Sequence, residues 1–236
     1  MNQFNRGVIG TNGILINDKE MMLSRTTPTT PEALDINAIL TEMIKAKTDY
    51  CMMEVSSHSL QLHRVSDLTF SVGIFTNLTP DHLELHGTME NYFLAKAQLF
   101  YLTNECNIIN IDDPYGKRLV QMLVDKPAKA QSFTYGLTQE ADYYATDIQY
   151  HFNETTFTLH TPHDHFSNVT LSLPGKINLY NTLAAIAMLE QTNQNIEKLC
   201  DQLSLLSAPK GRFELIYDQS FKVLIDFAHT EDALKQ

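Results

Sequence analysis

SVGIFTNLTPDHLELHGTMENYFLAKAQLFYLTNECNIINID, residues 71–112, is the stretch that decides the fold. It opens on one apolar run, SVGIFTNL (71–78), and closes on another, CNIINID (106–112). Each is short and continuous, as a strand buried on both faces is. Between them, NYFLAKAQLF (91–100) places Tyr92, Phe93, Leu99 and Phe100 at i−4, i−3, i+3 and i+4 from Lys96, which is one face of a helix. Strand, helix, strand is the pattern of a parallel sheet wrapped by helices. YCMMEVSS (50–57) reads as a buried strand of the same kind, and a helix over 114–124 and the strand QSFTYG (131–136) continue the pattern downstream.

Outward from this centre the texture varies. GVIGTNG (7–13) reads as a strand and turn, and EMMLS (20–24) as a short strand. TTPTTPE (26–32) is a loop ending in a helix start: Thr30 can cap, Pro31 suits the first helical position and Glu32 favours the positive end. Leu34, Ile36, Ile39, Leu40, Met43 and Ile44 then make one helical face through Lys47. Residues 142–173 alternate apolar and polar positions, which predicts a half-exposed, three-stranded antiparallel sheet. Helices are expected over 177–192 and 196–206, then two strands, FELIYD and FKVLIDFAH, and a helix beginning at the end. The fold class is α/β: a mostly parallel central sheet flanked by helices, with a small three-stranded antiparallel sheet.

Composition excludes some functions. The 236 residues carry 17 basic and 28 acidic side chains, a net charge of −11. Such a chain has no broad basic surface for nucleic acid or membrane, so phosphates must be held by local devices. Cys51, Cys106 and Cys200 have no metal-ligand spacing, and Cys51 and Cys106 lie in apolar runs, as buried, reduced thiols do. Residues 1–10 lack the apolar core of a signal peptide, and no apolar run nears the roughly 20 residues that span a bilayer. The expected compartment is the cytoplasm.

Chemistry-bearing residues fall at the strand ends, where ligands bind in open α/β sheets. They are Glu54, Ser56, Ser57 and His58; Asp81 and His82; Asp112 and Asp113; and Asp226 and His229. Glu54 follows YCMM, and a carboxylate buried there needs a basic partner or a metal. His82 and His86 stand i, i+4, the spacing of a metal pair on a helix or of two surface or capping histidines. Glu54, Asp81 and His82 together suit a hard cation such as Mg²⁺. Ser56-Ser57-His58 lacks the setting of a hydrolase nucleophile. The hydroxyls of Thr29, Thr30, Ser56 and Ser57 serve either a polar ligand or local loops and caps. Gly-Lys occurs at 116–117 and 175–176, but Arg118 and Ile177 follow, so neither completes a phosphate loop. Lys96, on an apolar face, must reach water, find a partner or change its chemistry.

The blocks TTPE (29–32), MEVSSHSLQLHRV (53–65), FTNLTPDHLELHGTMENYFLAKAQLF (75–100), NIDD (110–113), GKINLYNTLAA (175–185), GRFE (211–214) and IDFAHTEDAL (225–234) resemble, in order and spacing, the Mur ligase superfamily, specifically the UDP-N-acetylmuramyl-tripeptide synthetases of the MurE type. The resemblance covers the central, ATP-binding domain of a three-domain enzyme. It implies a middle domain over 1–225 without its phosphate loop, the start of a linker over 226–236, and a chain that is a fragment inactive alone. It implies an ATP-dependent acid–amino acid ligase that joins lysine or meso-diaminopimelate to UDP-N-acetylmuramoyl-L-alanyl-D-glutamate through an acyl phosphate. The implied cofactor is Mg²⁺ and the cosubstrate ATP; the partners are the muramoyl-dipeptide and an amino acid, with no nucleic acid or membrane, and the protein a monomer. By position, Glu54 and His82 match magnesium-holding residues, and Lys96 matches a lysine carboxylated to a carbamate that serves the same metal. Thr29, Thr30, Ser56 and Arg64 match contacts to the muramoyl-dipeptide. Asn178, Asn181, Arg212 and Asp226 match nucleotide contacts, and His229 lies near the hinge that follows. Leu62 replaces a substrate-binding Gln, Arg25 and Pro28 surround the Thr pair where an Asn is expected, and Glu231 replaces a Pro. A folylpolyglutamate synthetase-like ligase is the related alternative, against which TTPE and MEVSSH favour the muramoyl substrate.

Overall fold

A computed structural model of the protein describes residues 4–22, 27, 29–81, 83–209, 211–212, 214–226 and 228. The chain forms two compact units, Met1–Phe70 with Pro80–Asn104, and Ser71–Thr79 with Glu105–Gln236.

In the first unit, β1 (Arg6–Gly10), β2 (Gly13–Ile16), β3 (Lys19–Glu20) and β4 (Tyr50–Met53) form a sheet in the order β3-β2-β1-β4. β1 and β2 make a hairpin, and β1 pairs β4 in parallel, with Ile9 opposite Met53. Helix α1 (Ala33–Lys45) crosses between them and lays Ile39 and Met43 on Ile9 and Ile14. Each such buried aliphatic side chain contributes about 1.5–3 kcal/mol relative to exposure. α2 (Ser57–Gln61), α3 (Leu83–His86) and α4 (Met89–Ala97), with a 3₁₀ turn over Gln98–Tyr101, complete the unit. Ile36, Leu60 and Val65 form a second cluster, covered by Leu99 and Leu102.

Four local expectations change here, two at α1 and two at β4. The α1 N-cap is Glu32, which makes no side-chain cap bond, and the helix stops at Lys45 because Lys47 turns into positive φ (53°). Thr30 is not the cap; partners 24 and 26 residues away hold its hydroxyl instead. β4 is not a buried strand either. It ends its sheet and leaves Tyr50, Cys51 and Met52 exposed, so Cys51 is not the buried thiol its apolar neighbours suggested. Cys106 is buried, as expected.

The second unit is built on β5 (Phe70–Phe75), β6 (Thr103–Asn110), β7 (Gln131–Gly136), β8 (Tyr143–Tyr150), β9 (Thr155–His160) and β10 (His165–Leu171), in the order β10-β9-β8-β7-β6-β5. β6, β7 and β8 pair in parallel, and β8, β9 and β10 antiparallel, so the three-stranded antiparallel part extends the parallel sheet. β9 alternates as its sequence predicts: Phe157 and Leu159 face inward, and the less buried Thr156, Thr158 and His160 alternate with them. Helices α5 (Pro114–Asp125), α6 (Lys176–Gln191) and α7 (Ile196–Leu203) follow, then a separate hairpin of β11 (Glu214–Asp218) and β12 (Lys222–Ile225). Leu179, Leu183, Ile186 and Ala187 of α6 pack on Ile108, Tyr135, Tyr143 and Leu159 of the sheet.

The α/β architecture is the one the sequence predicts, but its strands are divided. The strands ending at Glu54, Asp112 and Asp226 belong to three different sheets rather than to one edge. The helix expected at the end of the chain lies outside the described residues.

Candidate active site

The first unit gathers five of the predicted residues into one polar network. Where β4 ends, the Glu54 carboxylate accepts hydrogen bonds from the Thr11 backbone N–H (3.2 Å) and hydroxyl (2.8 Å), both at Oε2. Thr11 Oγ1 lies 3.1 Å from Thr29 Oγ1. Gly10 is required there, because a Cβ would stand 2.5 Å from Glu54 Oε1. Thr30, 1% exposed, donates to the Glu54 carbonyl (2.9 Å) and accepts from the Ser56 N–H (2.9 Å). Ser56 caps α2 by accepting from the Ser59 N–H. Arg64 closes the network: Nη2 pairs with Glu32 at 2.7 Å and Nη1 donates to the Thr30 carbonyl, while Nε is buried with no partner.

This geometry bears on two readings of the sequence. The Glu54 side chain is exposed, not buried, and it takes its hydrogen bonds from Thr11 rather than from a basic residue. The hydroxyls of Thr29, Thr30 and Ser56 connect the 29–32 segment to the end of β4. Thr11, in the β1–β2 turn, was not singled out from sequence; its partner is 43 residues away.

Lys96 lies on α4, half-buried among Tyr92, Phe93 and Phe100, which are at most 6% exposed. Burial pushes its amine below the ordinary value of 10.5, and the Asp81 carboxylate opposes that shift. Its Nζ stands 5.6 Å from the Tyr92 ring centroid. His86 is not a surface histidine: it is 4% exposed, with Nε2 2.9 Å from Ser57 Oγ. His82 lies outside the described residues, as do Arg25, Pro28, His229 and Glu231.

The second unit carries the other predicted residues. Asn178 and Asn181 stand one turn apart at the start of α6; Asn178 Nδ2 donates to the Pro174 carbonyl (2.7 Å) and Asn181 is exposed. Tyr180 between them donates to Asp112 Oδ2 (2.7 Å), which also accepts from the Leu137 N–H (2.6 Å). Burial and the Asp112 carboxylate raise the Tyr180 phenol. Asp113 caps α5, accepting from Tyr115 and Gly116, and its Oδ2 accepts from the Leu78 N–H. Arg212 and Asp226 are exposed, before β11 and after β12.

The family profile of the Mur ligase middle domain matches residues 1–189. The chain belongs to the Mur ligase middle-domain family. It is 41% identical over 232 residues to the UDP-N-acetylmuramoyl-L-alanyl-D-glutamate–2,6-diaminopimelate ligase of Alkaliphilus oremlandii, covering 98% of this chain and 46% of that one. A solved structure of a ligase of the same description superposes with a TM-score of 0.82 at 34% identity, again over 98% of this chain and 46% of the other. This Mur ligase chain thus spans about half the length of the curated relatives it matches. A solved FPGS–AMPPCP complex shares the fold alone, with a TM-score of 0.71 at 16% identity over 98% of this chain and 64% of the other.

Among the described residues of the Mur domain no three His, Cys, Asp or Glu side chains cluster as a metal site. Mg²⁺ does not demand such a cluster, since one or two carboxylates with substrate oxygens and water suffice. The Glu54 carboxylate, cradled against Gly10, is a donor of that kind.

Proposed function

We propose that this chain is the middle-domain portion of an ATP-dependent ligase that adds the third amino acid to UDP-N-acetylmuramoyl-L-alanyl-D-glutamate. The observation that carries the reading is the network joining Glu54 to Thr29, Thr30, Ser56 and Arg64, built from the blocks that match the MurE type. The names of the relatives favour 2,6-diaminopimelate over lysine. Residues 1–225 form the middle domain and 226–236 begin the linker.

In the reaction, a carboxylate oxygen of the substrate attacks the γ-phosphorus of ATP and ADP leaves, giving an acyl phosphate. The amine of the incoming amino acid then attacks the acyl carbon, phosphate leaves and the amine proton goes to solvent. Thr29, Thr30, Ser56 and Arg64 orient the muramoyl-dipeptide; Asn178, Asn181, Arg212 and Asp226 hold the nucleotide. Burial favours the neutral Lys96 amine, whose nitrogen bonds the carbon of CO₂ and releases a proton, leaving a carbamate anion. Glu54, His82 and that carbamate would hold Mg²⁺, which supplies charge neutralisation at phosphoryl oxygens when bound. The protein works in the cytoplasm as a monomer; no helix among the described residues is long and apolar enough to cross a membrane.

A second reading, a piece without activity of its own, is favoured by the absence of a phosphate-loop motif from the sequence. Both are tested by grafting residues 1–236 in place of the matching segment of the Alkaliphilus ligase. The graft should release ADP only with the muramoyl-dipeptide and diaminopimelate, and lose that activity with Glu54→Ala, while the 236-residue chain alone shows essentially no turnover. A graft that folds, by circular dichroism, but releases no ADP refutes the ligase reading; robust turnover by the isolated chain refutes the second.

A further inference from the structure

We infer that His86 and Ser57 are positioning residues that fix the Tyr92 ring beside the Lys96 amine. The inference deepens the carbamate reading of Lys96 and rests on it. Ser57, His86 and Tyr92 are 2%, 4% and 6% exposed, so their polar atoms need partners inside the protein. His86 Nε2 lies 2.9 Å from Ser57 Oγ, and its ring stacks on Tyr92 at 4.7 Å and 11°. Ser57 also hydrogen bonds the Tyr92 phenol. One hydroxyl has a single proton and two lone pairs, so Ser57 can donate to one neighbour while accepting from the other. Tyr92 is therefore held at its face by His86 and at its phenol by Ser57.

The backbone around His86 is fixed as well. Gly87 turns the chain at φ 72°, Thr88 caps α4 by accepting the Asn91 N–H, and Asn91 Nδ2 donates to the His86 carbonyl at 2.9 Å. His58 packs edge-on to His86 at 5.9 Å. Moving the Tyr92 ring away from Lys96, 5.6 Å from its centroid, would break the stack and the phenol bond together. The cluster narrows the orientations open to the Lys96 side chain, and so favours the one in which its nitrogen carries CO₂.

The 236-residue chain, equilibrated with ¹³C-bicarbonate in magnesium buffer, should show a carbamate carbon resonance by NMR that Lys96→Ala removes. Ser57→Ala and His86→Phe should each lower its occupancy about fivefold to tenfold, the range for one buried hydrogen bond, whereas Ser57→Thr, which keeps the hydroxyl, should retain it. Should Ser57→Ala not fold, Tyr92→Phe, which removes only the phenol, is read in its place with the same expectation. Unchanged occupancy in Ser57→Ala, or in Tyr92→Phe, together with His86→Phe overturns the positioning role and leaves the carbamate standing. No resonance in the unaltered chain overturns the carbamate reading and this inference with it.

Discussion

Replacing Gly116 by alanine sets two effects against each other. In a helix the exchange stabilises by about 1 kcal/mol through propensity alone. Gly116, however, lies in the first turn of α5, where an added Cβ would stand 1.7 Å from the Asn110 carbonyl oxygen and 2.9 Å from its carbon. Carbon and oxygen approach no nearer than about 3.3 Å even in favourable C–H···O contacts, so the helix must retreat by roughly 1.5 Å. That start is tethered: Asp113 accepts the Tyr115 and Gly116 N–H groups and the Leu78 N–H, and Asn110 Nδ2 donates to the Thr76 carbonyl. Overpacking costs about 1–3 kcal/mol, and one or two weakened buried hydrogen bonds add about 1 kcal/mol each. Net of the propensity gain, Gly116→Ala should destabilise the second unit by about 1–4 kcal/mol. The chain has no tryptophan, so urea unfolding is best followed by far-ultraviolet circular dichroism, with the exposed neighbour Lys117→Ala as the comparison. A midpoint for Gly116→Ala at or above that of the unaltered protein would refute the close-approach argument.

Three further outcomes follow from the same geometry. Thr30→Val keeps the shape but strips the Ser56 N–H and the Glu54 carbonyl of their partner, and should cost about 2–4 kcal/mol; Thr30→Ser should recover most of it, and an unchanged thermal midpoint for Thr30→Val would count against the network. Because burial lowers the Lys96 amine, the unfolded chain binds the extra proton between the lowered value and 10.5, so this residue's penalty is full below that window and is relieved as pH rises through it. In metal- and CO₂-free buffer, Lys96→Met should therefore be more stable than the unaltered protein at neutral pH, with the gap closing above pH 10.5 in urea titrations. Tyr180→Phe removes a donor from the Asp112 carboxylate, whose Oδ1 is already buried without a partner, and should cost about 1.5–3 kcal/mol and speed hydrogen exchange at the Leu137 amide.

What the sequence disclosed depended on how far apart the determining residues are. α4 was legible because Tyr92, Phe93 and Phe100 sit three and four residues from Lys96, and β9 because its alternation is local. α2 and α3 span five and four residues, too few to display a helical period. The exposure of Glu54 is not legible in sequence, because a run of apolar residues identifies a strand but not its neighbours; β4 lies at a sheet end, where such a run is left exposed. The division of the strands among three sheets was hidden for the same reason. Thr30 has the chemistry of a helix cap, and only the fold reveals that Glu54 and Ser56 claim its hydroxyl first. Thr11 has no local signal at all.

The two units are not consecutive in the chain. The polypeptide leaves the first at Phe70, returns at Pro80 and leaves again after Asn104. On a ribosome adding about 5–20 residues per second, the 34 residues from Phe70 to Asn104 take roughly 2–7 s to be made. Throughout that interval the cluster of Ile36, Leu60 and Val65 lacks Leu99 and Leu102, which complete the cover that Leu40, Met53, Val55, Leu68 and Phe70 begin. The first unit thus cannot be completed before Asn104 has been made, and no single cut in the gene can release either unit whole.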